Sequence, residues 1–196
     1  MDLILPYEKE YPMDNGASSY RRFLDGDKDA FADLIGMYAR NLIFFIHRMV
    51  GNVTVSEDLA EDTFCDLIFY QNRFKEKSLF KTYLFSIARN KAVDYLKRNA
   101  KAVPFSDDEM ERQLDETDQL ECTVLQNERD SQINKALRVI HTDYRAVLHL
   151  LYFDDVPYDQ AAVILKKSKK QMHDLVYRAK QALKAEMEKE GFTYEE

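Results

Sequence analysis

Between positions 30 and 50, the apolar residues Phe31, Leu34, Ile35, Tyr38, Leu42, Phe45, Ile46 and Met49 recur at three- and four-residue spacing. Side chains so spaced share one face of a helix, whereas a strand would need every second residue. The stripe is broad and several turns long, so this helix must bury it against others in a bundle. Gly51-Asn52 ends the pattern, as expected for a glycine just past a helix C-terminus. Only five Gly and four Pro occur in 196 residues, among many Leu, Ala, Lys and Glu. That scarcity of helix breakers extends the inference to the whole chain and predicts an all-α fold.

Residues 1–15 hold two Pro and little periodicity, and read as an arm leading to a short helix near Ser18. After Asn52, Ser56 is the expected N-cap of a second long helix, with Glu57, Asp58, Glu61 and Asp62 near its start. Leu59, Phe64, Leu67, Ile68 and Cys65 form its expected buried side, with Cys65 as a small core residue. A short basic loop, residues 73–78, precedes a helix over about 79–99. Leu84, Ile87, Ala88, Tyr95 and Leu96 should face the bundle; Lys81, Ser86, Arg89, Asn90, Lys97 and Arg98 should face outward. Basic residues interleaved with Phe74, Phe80, Tyr83 and Phe85 suit a single nucleic-acid strand, with charges on its backbone and rings on its bases. Phe80 and Phe85 are read as core, and Tyr83 as a stacking surface.

The stretch from Pro104 to Glu128 is acidic and weakly apolar, and reads as a linker. Beyond it, Ile133, Leu137 and Ile140 mark one helix, and Tyr144, Val147, Leu148, Leu151 and Tyr152 the next. Asp154-Asp155-Val156-Pro157 is a turn, with Pro157 just inside the following helix. A short apolar helix then runs from Tyr158 to Leu165. After about three residues, a second helix carries Met172, Leu175, Val176, Ala179, Leu183 and Met187 on one face. This pair fits a helix-turn-helix whose second helix can enter a major groove, and equally an ordinary helical hairpin with a solvated basic face.

The net charge of −7 argues against a nucleic-acid partner until its distribution is considered. Residues 101–130 carry ten acids and three bases, whereas residues 73–98 carry eight bases and two acids. Residues 166–180 add six bases and one acid. The acid is thus gathered in one segment and the base in two others. Cys65 and Cys122 form no CxxC, and His47, His141, His149 and His173 make no ligand spacing with them. No metal, no cofactor and no disulfide framework is expected, and two free thiols suit a reducing cytoplasm. The longest uninterrupted apolar run, residues 42–46, is too short to cross a membrane, and the N-terminus lacks the basic start of a signal peptide. No Ser/His/Asp set or Gly-rich phosphate loop is present, so an enzyme is not expected.

This order of parts resembles the bacterial RNA polymerase sigma factors of the extracytoplasmic-function group, over about residues 20–190. Ser56-Glu57-Asp58-Leu59-Ala60-Glu61-Asp62-Thr63-Phe64 looks like the polymerase-binding segment of that group. Phe80-Lys81-Thr82-Tyr83-Leu84-Phe85-Ser86-Ile87-Ala88-Arg89-Asn90 looks like its promoter-melting, minus-ten-reading helix. The residues from Tyr158 to Leu183 look like its minus-thirty-five-reading helix-turn-helix. The group commonly has Trp at Tyr83, Gln-Glu at Glu61-Asp62, Gly at Lys166, and polar or basic residues around His173, Asp174 and Leu175. Promoter preference therefore does not transfer.

The resemblance implies two helical domains joined by an acidic linker: an arm over 1–15, sigma region two over 16–100, the linker over 101–128 and sigma region four over 129–190. It implies polymerase contacts by Asp58, Glu61, Asp62 and Phe64. For minus-ten DNA it implies Arg73, Lys75, Lys81, Tyr83, Ser86, Arg89, Asn90, Lys97 and Arg98. For minus-thirty-five DNA it implies Lys169, Lys170, Gln171, His173, Asp174 and Arg178. Core RNA polymerase, promoter DNA and an anti-sigma factor are the implied partners. The rivals are a polymerase-independent helix-turn-helix regulator, which would not need the basic-aromatic stretch, and a helical adaptor that binds only protein.

Overall fold

The stripe of positions 30–50 becomes α2 (Asp29–Val50) in the computed structural model, which describes residues 15–99 and 128–189. Leu34, Leu42, Phe45 and Ile46 are fully buried, while Ile35, at the margin of the stripe, is 41% exposed. α2 stops at Gly51, whose φ of 76° places it in the left-handed region and lets its N–H reach the His47 carbonyl at 2.9 Å. The next residue starts α3 (Val53–Phe69): the Asn52 side chain accepts from the Val55 N–H at 2.9 Å. Asn caps as well as Ser does, so the cap stands four residues before Ser56, the expected one. Ser56 is instead buried one turn in, its Oγ donating to the Asn52 carbonyl.

Leu59, Ala60, Thr63, Phe64 and Leu67 form the inner side of α3. Cys65 is exposed and Ile68 is 41% exposed, against the expectation that both were core. At 3.6 residues per turn they fall off the line of Leu59, Thr63 and Leu67, and apolar type alone did not reveal that. α1 (Asn15–Leu24) lies across the end of α3. There the buried Tyr20 hydroxyl donates to the Leu67 carbonyl at 2.9 Å, and burial pushes its pKa up to about 12. α4 (Phe80–Asn99) buries Phe80, Leu84, Phe85, Ala88 and Ala92. Phe80 meets Tyr20 at 5.2 Å and Phe74 at 5.4 Å between ring centroids, an aromatic knot tying α1 to the start of α4.

The remaining helices are α5 (Glu128–Val139), α6 (Thr142–Tyr152), α7 (Tyr158–Leu165) and α8 (Lys169–Lys189). Every regular element among the described residues is thus helical, as expected. Pro157 stands one residue outside α7, at its N-cap. Of the expected acidic linker, residues 101–127 lie outside the described residues. The two helical groups lie against each other, α2 on α6 and α4 on α7. One apolar core runs through both groups, and polar contacts also cross between them. Arg48 donates to Asn134 at 3.0 Å, Asn41 to Asp154 at 2.6 Å, and Thr82 to Gln160 at 2.8 Å.

This seam gathers buried positive charge. His47 and Arg48 of α2 are 8% and 6% exposed. Burial, then Arg48, Arg145, Arg138 and His149, lower the His47 pKa to about 4. Burial and the neighbouring Arg48 also lower that of Arg145. An unfolded histidine takes up its proton near pH 6.5 and this one only near 4, so acidification favours the unfolded chain. The ring costs nothing above pH 6.5, and stability falls as pH drops from 6.5 toward 4, by up to roughly 3 kcal/mol. Urea unfolding of His47→Gln, which cannot titrate, should show a decline between pH 7 and pH 4 that is smaller by about that amount. Parallel declines in the two proteins would remove this account.

Candidate nucleic-acid interface

Three surfaces collect the residues singled out from the sequence. The first runs from the 3-10 turn Gln71–Arg73 along α4. Arg73 and Lys75 are exposed, and the Arg73 guanidinium lies 3.8 Å from the centre of the Tyr70 ring. An Arg21–Glu76 ion pair holds the loop between turn and helix to α1, with both contacts near 2.6–2.7 Å. Farther along α4, Arg89 and Asn90 are half-buried and Lys97 and Arg98 exposed. Ser86 is half-buried, with Oγ donating to the Thr82 carbonyl at 2.7 Å.

Tyr83 is neither a free platform nor a core residue. It is half-buried, 5.1 Å from Phe74 and 6.5 Å from Phe80 between ring centroids. Burial raises its pKa, with Arg73 opposing that shift and Asp66 adding to it. The ring therefore forms the outer edge of the aromatic knot. Lys81 sits even less in the open: its ammonium donates to the Asp154 carbonyl at 2.6 Å and lies 3.6 Å from the Asp154 carboxylate.

The second surface is the α7–α8 pair. Lys166 adopts φ 54°, and the N–H groups of Lys166 and Lys167 close back on the Val163 and Ala162 carbonyls. This is the left-handed position at which the resembling group commonly has glycine. α8 buries Met172 and Ala179 and exposes Lys169, Lys170, Gln171, His173, Asp174 and Arg178. A groove of about 360 Å³ runs beside this face, lined also by His141, Tyr144 and Lys167. Sequence reading missed the first two, because they come from the start of α6 and only the fold brings them to α8.

Gln171 has a structural task that its sequence context disclosed. Ser168 Oγ accepts from the Gln171 N–H at 3.3 Å, and Gln171 Oε1 accepts from the Ser168 N–H at 2.9 Å. The run Ser168-Lys169-Lys170-Gln171 is a capping box, in which serine and glutamine satisfy each other's backbone donors. The carbonyl oxygen needed for a two-pronged contact with adenine is already engaged.

The third surface is on α3, where Asp58, Glu61 and Asp62 are exposed beside one another. Phe64, expected to join them, is only 7% exposed and meets Phe31 edge-on at 6.3 Å. It belongs to the core. Among the described residues no group of three His, Cys, Asp or Glu is placed to hold a metal, and no helix is long and apolar enough to cross a membrane.

The capping box makes separable predictions. Gln171→Ala should lower stability by about 1 kcal/mol in thermal unfolding, as lost helix caps do. Gln171→Glu keeps the acceptor, adds a negative charge near the positive end of the helix, and should leave the melting temperature unchanged or higher. Equal destabilisation by the two substitutions would show that the box contributes nothing.

Comparison with known proteins bears on the chain as a whole. Residues 34–102 match the family model for sigma-70 region 2. The ECF RNA polymerase sigma factor SigW of Bacillus subtilis (strain 168) is 28% identical over 171 residues, covering 83% of this chain and 91% of that protein. SigM of the same organism is 26% identical over 78% of this chain and 92% of its own length. CarQ of Myxococcus xanthus reaches 40% identity over 76 residues, 39% of this chain and 44% of that protein. Among solved structures, the sigma factor RpoE bound to the anti-sigma factor NepR from Bartonella quintana superposes with a TM-score of 0.61, at 20% identity over 81% of this chain and 96% of that one. CnrH in complex with the cytosolic domain of CnrY gives 0.59, at 20% identity over 89% and 95%. At that identity the two structures speak for the fold alone. In its region 2 match and in relatives spanning most of its length, the chain is similar to the RNA polymerase sigma factors of the extracytoplasmic-function group.

Proposed function

We infer that this protein is a sigma factor: it binds core RNA polymerase and directs promoter recognition, melting and transcription initiation. One observation carries the reading. A sigma-70 region 2, with a basic face on α4, shares a chain with a helix-turn-helix whose second helix turns Lys169, Lys170, His173 and Arg178 outward. A self-sufficient repressor needs only the second of these. The protein acts through binding, without catalysis of its own, in the cytoplasm. By analogy with the neighbours solved as anti-sigma complexes, an anti-sigma factor is the expected regulator.

We assign residues 16–100 to polymerase and minus-ten binding and residues 129–190 to the minus-thirty-five duplex. The exposed Asp58, Glu61 and Asp62 offer the clamp a rigid acidic edge, held by the packing of Leu59 and Thr63 beneath. Along the turn and loop before α4 and along α4 itself, Arg73, Lys75, Arg89, Lys97 and Arg98 track phosphates while Tyr83 presents a ring edge to an unpaired base. Opening a duplex costs roughly a few kcal/mol per base step, and stacking on an aromatic returns about 1–3 kcal/mol per base. On α8, Lys169, Lys170 and Arg178 suit phosphate positioning, which sets register more than sequence preference.

Run-off transcription from a cognate promoter by core polymerase, with and without this chain, tests the function directly. A promoter-specific transcript is expected only with it. Lys170→Ala and Arg178→Ala should each lower the log–log salt slope of duplex binding by about one, at every sequence. Unchanged slopes would remove α8 from the duplex.

Because Tyr83 is half-buried, its test must preserve packing. Tyr83→Leu keeps apolar bulk and should cost less than about 1.5 kcal/mol of stability, whereas Tyr83→Phe keeps the ring. Open-complex formation should fall in the leucine variant, persist in the phenylalanine variant, and be partly rescued on a pre-melted bubble template. Equal open-complex yields from the two variants would count against stacking.

A further inference from the structure

α8 carries one acid on the face where its bases stand. Lys170, Asp174 and Arg178 recur at four-residue spacing, so they share one line along the helix, and all three are exposed. Asp174 also lines the groove of about 360 Å³ beside α8. The other acid lining that groove, Asp143, is paired with Lys167 at 3.5 Å. Among the described residues Asp174 has no ion-pair partner. It stands in the second turn of α8, beyond the reach of the positive helix end. Neither helix capping nor ion pairing therefore accounts for it.

On a helix that enters a duplex, a carboxylate is costly beside phosphates and useful over base edges. Phosphates repel it whatever the sequence. The major groove offers it donors only at the amino groups of cytosine and adenine. The adenine amino group lies beside the N7 acceptor, which repels the second carboxylate oxygen, whereas cytosine presents only its N4 donor there. Guanine shows two acceptors, O6 and N7, and repels the acid outright. The position of Asp174 agrees with a place over the bases. At a rise of 1.5 Å per residue, Lys170 and Arg178 are about 12 Å apart along the axis with Asp174 midway, and the groove is about 12 Å wide. Each base can reach a phosphate wall while the acid between them lies over base edges. Gln171, the other side chain suited to a base edge, has its carbonyl oxygen held by the Ser168 N–H.

We propose that Asp174 is a specificity-determining residue of α8: its carboxylate accepts from the N4 amino group of one cytosine in the minus-thirty-five duplex and rejects guanine at that position. This rests on the reading that α8 enters that duplex. The acid weakens binding to every sequence by repulsion from phosphates, and regains the loss only where cytosine stands. Discrimination thus comes from a repulsive element as much as from the new contact. Lys170 and Arg178 hold the helix, and Asp174 chooses the base.

Transcription by core polymerase with the full chain tests this, on a promoter library randomised across the minus-thirty-five element, each template barcoded in its transcribed part. With the native chain, cytosine should be enriched at one position of the element and guanine depleted there. Asp174→Ala should reduce that enrichment about fivefold or more and leave the other positions as they were. Asp174→Asn, whose amide pairs with adenine N6 and N7, should move the preference at that position from cytosine to adenine. Because Asp174 is exposed, both variants should keep the native melting temperature, so a changed profile reports recognition. A profile unchanged by Asp174→Ala, or a native preference for adenine or guanine at the position that responds, would overturn the assignment and leave the sigma-factor reading standing. Transcripts from no template with the native chain would overturn that reading, and this assignment with it.

Discussion

α2 is a helix that cannot satisfy its apolar surface against one neighbour. Leu34 and Leu42 are fully buried, while Phe45 meets Phe85 of α4 at 5.3 Å and His149 of α6 at 6.5 Å. Fully burying a side chain of this kind is worth about 1.5–3 kcal/mol, so several such residues on one helix dictate that neighbours surround it. The rest follows from where those neighbours leave α2. α3 folds back at Gly51-Asn52 and turns its acids outward, and α4 turns its bases outward. The candidate faces are the solvent sides of helices whose inner sides were fixed by α2.

The apolar periodicity made the all-helical class and most helices legible, because burial and period are the same physical fact in a bundle. Ends were less legible. Asn52 and Ser56 are both good caps, and only the left-handed Gly51 beside Asn52 decides between them. Residue type misled at Cys65 and Ile68, whose apolar character hid their position on the outward line of α3. Phe64 shows the reverse: its place in a motif suggested a contact, yet its ring fills space beside Phe31.

The candidate sites were legible as charge and not as geometry. Spacing could place Lys81 on an outward face of α4, but its partner Asp154 is 73 residues away in sequence. No local pattern announces that pairing. Gln171 is the opposite case, since its capping box is written in four consecutive residues. The aromatic knot lies between these cases. Phe80 and Phe85 read as core and are fully buried, while Tyr83 at the same knot is left half in solvent.

Two helical groups that meet at one seam face opposing demands. Separated groups would leave the inner faces of α2 and α6 wet, while a fully apolar seam would leave their relative orientation loosely set. The sequence meets both by placing Phe45 and His149 at the centre of the seam and polar pairs at Asn41–Asp154, Thr82–Gln160 and Arg48–Asn134 around it. The small apolar centre sets where the groups meet. The polar pairs set the orientation, because a hydrogen bond is lost with a modest change of angle whereas an apolar contact tolerates sliding. Position and orientation are thus assigned to different chemistry within one interface.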